Sequence, residues 1–330
     1  MKIWRSIDEV PAGTHSVATI GIFDGVHKGH RFILTHVVER ARELGEQAVA
    51  LTFDPHPATL HTPERGVQLI MPLEDRLNAL AAMGIDATLV EHYTWDLAAM
   101  SPEDFVKRYF VDALGVRLVV VGADARFGKN NAGDCQTLTR LGKQYGFDVE
   151  VIDDINDLTQ NRRYSSTWVR ALLAEGDVEG AAAILGHPYR LRGQVVRGFQ
   201  RGRQLGYPTA NLDASQVGMV PADGVYAGWL LAPVPGTSAV MSLPSAISVG
   251  TNPQFDGISR TVEAHVLGRA DLNLYDQSIA IDFVKRLRPM LKMNSVDELL
   301  AQMDDDVRAS ADVLGVAPSG RVRPQDVTAH

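Results

Sequence analysis

A single cysteine, Cys135, in 330 residues leaves no partner for an internal disulfide. It lies far in sequence from the other chemistry-bearing residues, so it reads as a passive thiol, and redox chemistry on the protein itself is not expected. Long hydrophobic runs are also missing: no stretch is apolar enough to span a bilayer, and Met1-Lys2-Ile3-Trp4-Arg5-Ser6 lacks the core of a signal peptide. The expected location is the cytoplasm. Positive charge is not in excess either. A net charge of −8 argues against a broad nucleic-acid or anionic-membrane surface. Anionic ligands must then be held by local donors, which suits small phosphorylated molecules better than polymers. Internal repeats and low-complexity tracts are absent.

The chain has enough apolar residues (45%, with 22% charged) for two domains, each with its own core. Its first half alternates strand and helix patterns. Strands are predicted at 17–22, 48–53, 87–90 and 117–121, and helices at 31–44, 73–83 and from Ser101, which would cap a helix with Pro102 in its first turn. The run at 117–121 is almost continuously apolar, as in a strand buried on both faces. This alternation predicts an α/β, doubly wound, Rossmann-like parallel sheet.

Ligands of such sheets bind at the carboxyl ends of strands, where a helix start offers unpaired N–H groups and a positive dipole end. The motif Gly21-Ile22-Phe23-Asp24-Gly25-Val26-His27-Lys28-Gly29-His30 sits at such a junction. Gly25 and Gly29 allow a tight turn and close approach of backbone to phosphate, and His27 and His30 add donors aimed at the same charge. Three further loops qualify by position or chemistry: Asp54-Pro55-His56-Pro57; Gly122 to Gly128 with Asp124, Arg126 and Phe127; and Tyr164-Ser165-Ser166-Thr167-Trp168-Val169-Arg170, a hydroxyl-rich helix start with an arginine one turn on. Asp54 and His56 are equally consistent with turn and cap hydrogen bonds.

Texture changes at Gly186-His187-Pro188, after a helical stretch at 178–185. Short strands then alternate with glycine turns at 189–197, 225–231, 246–249, 260–267 and 279–287, predicting a small antiparallel β-barrel. A terminal helix should start at Ser295, with Glu298 completing a capping box, and run to about Leu314. Asp304-Asp305-Asp306 reads as a solvated face of that helix, and the residues after it as loosely held. The domain boundary implied is 1–186 and 187–330. Inside the barrel segment, Gly198-Phe199-Gln200-Arg201-Gly202-Arg203-Gln204-Leu205-Gly206-Tyr207-Pro208-Thr209-Ala210-Asn211 combines glycines and arginines in a loop suited to covering phosphates. Thr209 and Asn211 could place oxygens near Mg²⁺. On the strand Val262-Glu263-Ala264-His265, Glu263 and His265 share a face, and Glu263 is a candidate base for a hydroxyl.

In this order the segments resemble the bacterial bifunctional riboflavin kinase/FAD synthetase family over nearly the whole chain. GIFDGVHKGH, TFDPHP, GADARFG and YSSTWVR are similar to its FMN adenylyltransferase module; RGFQRGRQLGYPTANL, PADGVYAG, AISVGTNPQF and TVEAHVL are similar to its kinase module. The resemblance implies that ATP phosphorylates riboflavin to FMN in the C-terminal module, and that a second ATP donates AMP to FMN in the N-terminal one. It implies nucleotide binding at Gly21, Phe23, Asp24, Gly25, Gly29, Asp124, Arg126, Phe127, Ser165, Ser166, Thr167 and Arg170. In the kinase it implies nucleotide binding at Gly198, Arg201, Gly202, Arg203, Gly206 and Pro208. His27 and His30 would serve adenylyl transfer, Glu263 would be the kinase base, and Mg²⁺ would sit at Thr209 and Asn211. Implied partners are riboflavin, FMN, FAD and ATP, with no nucleic acid or membrane and homo-oligomers allowed. Departures from the family pattern are Ala125 for an aromatic residue, Gly268 for an aspartate, Asn273 to Asp276 for Asp-Leu-Tyr-Gly, and Met293 for a phenylalanine. Two alternatives stay open on residues alone: an adenylyltransferase with a different acceptor, and a non-catalytic flavin-binding regulator.

Overall fold

The computed structural model describes residues 1–61, 66–153, 156–157, 162–197, 205–213, 218–234, 236–252 and 259–322. The chain divides into two compact units, Met1–Ser166 and Thr167–His330.

In the first unit, β1 (Lys2–Trp4), β2 (Ser16–Ile20), β3 (Gln47–Asp54), β4 (Ala87–His92), β5 (Val116–Gly122) and β6 (Asp148–Ile152) form one parallel sheet in the order β1-β4-β3-β2-β5-β6. Both faces are buried. Leu118 and Val120 of β5 join the core beneath helix α1 (Lys28–Leu44), with Leu34, Val37 and Ala41. Val119 and Val121 point into the opposite core, with Phe105, Tyr109 and Phe127. The doubly wound sheet is therefore as the alternation implies. From β2 the chain winds outward through β3 and β4, then returns to β5 on the other side of β2. The switch point lies between β2 and β5, and the histidine motif follows β2 directly.

Ser101 caps the next helix, accepting from Asp104 N–H, and Pro102 occupies its first position. Beyond Phe105 the backbone widens into π turns over Val106–Ala113, which the sequence pattern does not signal. A two-residue ladder pairs β7 (Asn156–Asp157) with β8 (Arg162–Arg163).

The second unit carries helices Ser166–Glu175 and Val178–Leu185 and a closed barrel. Its strands are β9 (Tyr189–Val196), β10 (Ala210–Leu212), β11 (Gly224–Pro233), β12 (Val240–Asn252), β13 (Ser259–Val266) and β14 (Ser278–Arg288), all antiparallel in the order β10-β13-β12-β11-β14-β9. Val249, Val262, Leu212 and Val195 pair across four strands and are buried, so they face the interior. The alternate ladder of Ser248, Glu263, Asn211 and Val196 faces outward. β12 is much longer than the 246–249 stretch predicted. Pro244 hid its beginning, yet Pro244 lies just outside the β13 ladder, which starts at Ser245, so its missing N–H is tolerated.

The terminal helix Val296–Leu314 starts at Ser295, whose Oγ accepts from Glu298 N–H, while Glu298 reaches back to Asn294 N–H. Two expectations about this end of the chain are corrected. Asp304-Asp305-Asp306 is not one solvated face: Asp306 is buried and takes a two-bond fork from Arg288 (2.7 and 2.6 Å), and Asp304 accepts from Tyr207 and Arg321. Nor does the chain hang loose from Gly315 to Val322, because Val322 N–H donates to Gly206 O at 3.2 Å; the rest of the expected loose end lies outside the described residues.

Candidate active sites

The first site is built where β2 runs out. Its loop holds two non-glycine residues in left-handed backbone, Phe23 (φ 54°) and Val26 (φ 38°), both buried. A β-branched residue such as Val26 strongly disfavours that region, and strain of this kind persists only where surrounding packing over-determines it, as it does at ligand sites. Several ties fix the loop. The carboxylate of Asp24 is buried and accepts from the N–H groups of Ile70 (3.0 Å) and Met71 (3.2 Å). Ser166 Oγ donates to Asp24 O at 2.7 Å. From below, the buried Arg76 donates to Ile22 O (2.8 Å) and Phe53 O (3.1 Å), clamping the ends of β2 and β3 together.

His27 is the N-cap of α1, which begins three residues earlier than predicted. Its Nδ1 accepts from His30 N–H at 3.3 Å, so the ring proton of neutral His27 sits on Nε2. The two rings stack 3.6 Å apart. Burial, reinforced by the Arg163 cation, lowers the His27 pKa to about 4. His30 is held well below its ordinary value by loss of solvation and by His27. The two imidazoles are thus neutral donors at neutral pH, and they adjoin the open N–H groups of a helix start. Gly29 leaves room for this arrangement: a Cβ there would stand 3.2 Å from the His27 ring.

The 162–166 segment lies against the same loop. Arg163 pairs with Asp124 at 2.9 Å, Lys28 Nζ lies 5.9 Å from the Tyr164 ring centre, and a Cβ on Gly29 would be 3.5 Å from Tyr164 Cβ. The structure therefore brings together His27, His30, Asp24, Asp124, Ser166 and Arg163. Thr167 and Arg170 follow in the helix, past the boundary of the unit. Arg126 is exposed and donates to Ala125 O. Phe127 must be reassigned: it is buried in the core beside Phe105, so packing occupies the ring expected to contact a nucleotide. Burial raises the Cys135 pKa, in keeping with a passive thiol. Arg76 and Arg163 were missed by sequence reasoning. Arg163 adjoins the YSSTWVR segment and could have been included; nothing local marks Arg76.

The second site lies on the outer face of the barrel. Asn211 and Glu263 are direct partners across β10 and β13, and Thr209 Oγ1 donates to Glu263 Oε2 at 3.2 Å. Asn211 Nδ2 lies 3.5 Å from Thr209 Oγ1. Below this group, His265 Nδ1 approaches Pro208 O at 2.9 Å and its ring meets Tyr207 edge-on at 5.2 Å. Burial lowers the His265 pKa, so the neutral ring donates to that carbonyl and holds the turn before Thr209. Gly206 takes φ 85°, as the turn requires. Gly198, Arg201, Gly202 and Arg203 lie outside the described residues.

A hydroxyl, an amide and a carboxylate are hard oxygen donors of the kind Mg²⁺ takes alongside substrate phosphates. Among the described residues no cluster of three or more His, Cys, Asp or Glu could hold a metal by itself. This donor set fits a cation shared with a phosphorylated ligand.

Comparison with known proteins assigns the two halves separately. The FAD synthetase family model matches residues 10–168 and the riboflavin kinase family model matches residues 185–314. The bifunctional riboflavin kinase/FMN adenylyltransferase of Escherichia coli K12 is 33% identical over 318 residues, 96% of this chain and 99% of its own. Its counterpart in Pseudomonas fluorescens is 35% identical over 312 residues, covering 94% and 97%. The counterpart in Bacillus subtilis is 33% identical over 295, covering 88% and 90%. A crystal structure from Streptococcus pneumoniae, described as a macrolide-efflux protein, superposes with TM-score 0.82 at 27% identity over 94% of this chain and 98% of that one. Among the described residues no helix is long and apolar enough to cross a membrane. With both halves matched in order and relatives aligned from end to end, the chain belongs to the bifunctional riboflavin kinase/FMN adenylyltransferase family.

Proposed function

We propose how this ATP-using riboflavin kinase and FMN adenylyltransferase divides its chemistry between residues. The N-terminal half is the adenylyltransferase and the C-terminal half the kinase; the working boundary we assign is 1–186 and 187–330. In the kinase the nucleophile is a neutral ribityl hydroxyl of riboflavin, so a nearby base is needed. Glu263 takes that proton as the hydroxyl oxygen bonds to the γ-phosphorus of ATP and the bond to the β-phosphate oxygen breaks, leaving ADP and FMN. Thr209 and Asn211 would hold Mg²⁺, which when bound neutralises charge on the ATP phosphates. The turn from Gly206 to Pro208 aligns Thr209, and Gly198, Arg201, Gly202 and Arg203 are assigned to nucleotide binding.

In the adenylyltransferase the nucleophile is the FMN phosphate, already an anion, so no base is required. An FMN oxygen bonds to the α-phosphorus of ATP, and pyrophosphate leaves with the bridging oxygen. His27 and His30, as neutral N–H donors at a helix start, stabilise the charge gathering on that leaving group, helped by the Arg163 cation. Gly21, Phe23, Gly25 and Gly29 shape the loop, Asp24 and Ser166 fix it, and Asp124 holds Arg163. Arg126, Ser165, Thr167 and Arg170 are assigned to the surrounding nucleotide contacts. All substrates are small molecules, namely riboflavin, FMN, FAD and ATP. We place the reaction in the cytoplasm, with no nucleic-acid or membrane partner, and leave homo-oligomers open.

The observation that carries this reading is the contrast between the sites: one presents two stacked neutral imidazoles, the other a carboxylate bonded to a hydroxyl. Incubation with riboflavin, ATP and Mg²⁺, followed by separation of the flavins, tests it. His27→Ala with His30→Ala should stop FAD formation and spare FMN formation; Glu263→Ala should stop FMN formation while added FMN is still adenylylated. Loss of both activities in either folded variant would refute the assignment, and turnover of a non-flavin acceptor alone would point to a different adenylyltransferase.

A further inference from the structure

The riboflavin kinase family match ends at residue 314, yet the described chain continues to Val322 and does not leave the barrel. It turns at Gly315 (φ 66°) and comes to lie over the segment that leads into Thr209. Val322 N–H donates to Gly206 O at 3.2 Å. Arg321 Nε lies 3.1 Å from each carboxylate oxygen of Asp304, its Nη2 donates to the same group, and its guanidinium sits 6.0 Å from the Tyr207 ring centre. Tyr207, 1% exposed, donates its hydroxyl to Asp304 as well. Two glycines make way for this stretch, since a Cβ on Gly206 would stand 2.7 Å from Val322 O and one on Gly268 would stand 3.0 Å from Ser319 Cβ.

From Tyr207 the connection to the kinase chemistry is short. Its ring packs on His265, which bonds Pro208 O, and the next residue is Thr209, bonded to Glu263. The turn is thus held from two sides, by His265 within the barrel wall and by the 315–322 segment from outside. A carboxylate bonded both to a guanidinium and to the Tyr207 hydroxyl fixes that ring in one position. A hydroxyl that must sit within a few tenths of an ångström of its metal and phosphate partners gains from such bracing, because small misplacements cost large factors in rate.

We propose that residues 315–322 are a strap on the kinase site, and that Arg321 is a positioning residue for riboflavin phosphorylation, acting through Asp304 and Tyr207 on Thr209. The proposal rests on the assignment of Thr209, Asn211 and Glu263 to the kinase site. Its consequence is selective. Loss of the strap loosens the turn that presents Thr209 to Mg²⁺ and the ATP phosphates, without touching the adenylyltransferase half.

The test uses the full chain and its two activities. Arg321→Ala and Arg321→Lys are compared with the unmodified enzyme for FMN formation from riboflavin, with ATP·Mg²⁺ and riboflavin varied in turn. FAD formation from added FMN serves as the control for the adenylyltransferase half, and the KM for riboflavin together with thermal unfolding as the control for the barrel. Arg321→Ala should lower kcat/KM for ATP·Mg²⁺ in FMN formation roughly tenfold or more, leave KM for riboflavin within about twofold, and leave FAD formation unchanged. Arg321→Lys, which keeps the charge, should recover part of the loss. Unchanged FMN kinetics in Arg321→Ala overturn the strap, as does an equal fall in FMN and FAD formation or a fall confined to riboflavin KM. Glu263→Ala in the same assay tests the site assignment by itself: if that variant still makes FMN, the site is elsewhere and the premise fails, whatever Arg321 does.

Discussion

The neutral state of His27 has a consequence in proton binding that can be measured directly. An exposed histidine with the ordinary value of 6.5 is about 90% protonated at a pH of about 5.5, whereas one at about 4 is about 3% protonated there. Stability follows with a definite sign. Between pH 6.5 and about 4 the unfolded chain takes up a proton at residue 27 that the folded chain refuses, so unfolding becomes easier as pH falls through that window. A gap of about 2.5 pH units at about 1.4 kcal/mol each gives about 3.5 kcal/mol in all, about 3 kcal/mol of it lost by the lower end of the window, and His30, shifted in the same direction, adds to it. At 6% exposure His27 is little screened by solvent, so the figure stands as an order of magnitude. Titration of the histidine Cε1–H signals by NMR, with His27→Asn to assign the resonance, should show no midpoint near 6.5 for residue 27. Thermal unfolding of the same pair should show a weaker acid dependence in the variant, whose amide oxygen can still cap α1. A His27 midpoint within half a unit of 6.5, or identical acid slopes, would refute the reasoning, because a solvated imidazolium cannot be the buried neutral donor described here.

Gly29→Ala should leave the protein as stable or slightly more so, since alanine favours helix by about 1 kcal/mol, while FAD formation falls because the new methyl displaces the His27 ring; melting and flavin assays read the two effects separately. Arg76→Met leaves two strand-end carbonyls without their charged donor, and should cost about 2–4 kcal/mol by denaturant unfolding and reduce FAD formation far more than FMN formation. Asp276 stands at φ 61°, where the related pattern has glycine. Asp276→Gly should therefore raise the stability of the barrel by about 0.5 kcal/mol in the same unfolding assay, relief of backbone strain being partly offset by a looser unfolded chain.

Local pattern carried most of the fold because the elements around the sites obey local rules. Leu118 to Val121 are buried on both faces of the sheet while Arg117 at the start of the predicted run is exposed, and the helix Val178–Leu185 matches its predicted bounds to the residue. Reading failed where a side chain's role is set by distant partners. An arginine on the amphipathic helix Leu73–Ala82 looks like a solvated residue, and only the tertiary fold reveals carbonyls 54 and 23 residues away that turn Arg76 inward. The same holds for Asp306, where a charged triplet suggests solvent while Arg288 on β14 supplies a buried fork. Phe127 failed in the opposite sense: its loop position suggested a ligand contact, but its bridge to Gly133 folds the ring back into the core. The residues proposed for the two sites stand out in the sequence for different reasons: His27 and His30 share one short motif, whereas the pairing of Asn211 with Glu263 appears only once β10 and β13 are aligned.

The chemistry proposed for the two sites places different electrostatic demands on them. A chain of net charge −8 must admit ATP twice. In the assignment proposed above, the groups facing the phosphates at the first site are neutral or positive: helix-start amides, two uncharged imidazoles and the Arg163 cation, which Asp124 holds. The second site, with Glu263 as its proposed base, keeps a carboxylate close to incoming phosphates because the neutral hydroxyl to be activated needs one. One such pair of like charges at about 5 Å costs about 3 kcal/mol at an effective dielectric of about 20. A divalent cation between them removes that repulsion, and neutral ligands such as Thr209 and Asn211 can help to hold it without adding negative charge of their own. A second carboxylate in either position would bind the metal more tightly in isolation and repel the nucleotide more strongly. The proposed pairing of one acid with one hydroxyl and one amide leaves the proton acceptor intact while the phosphates still enter.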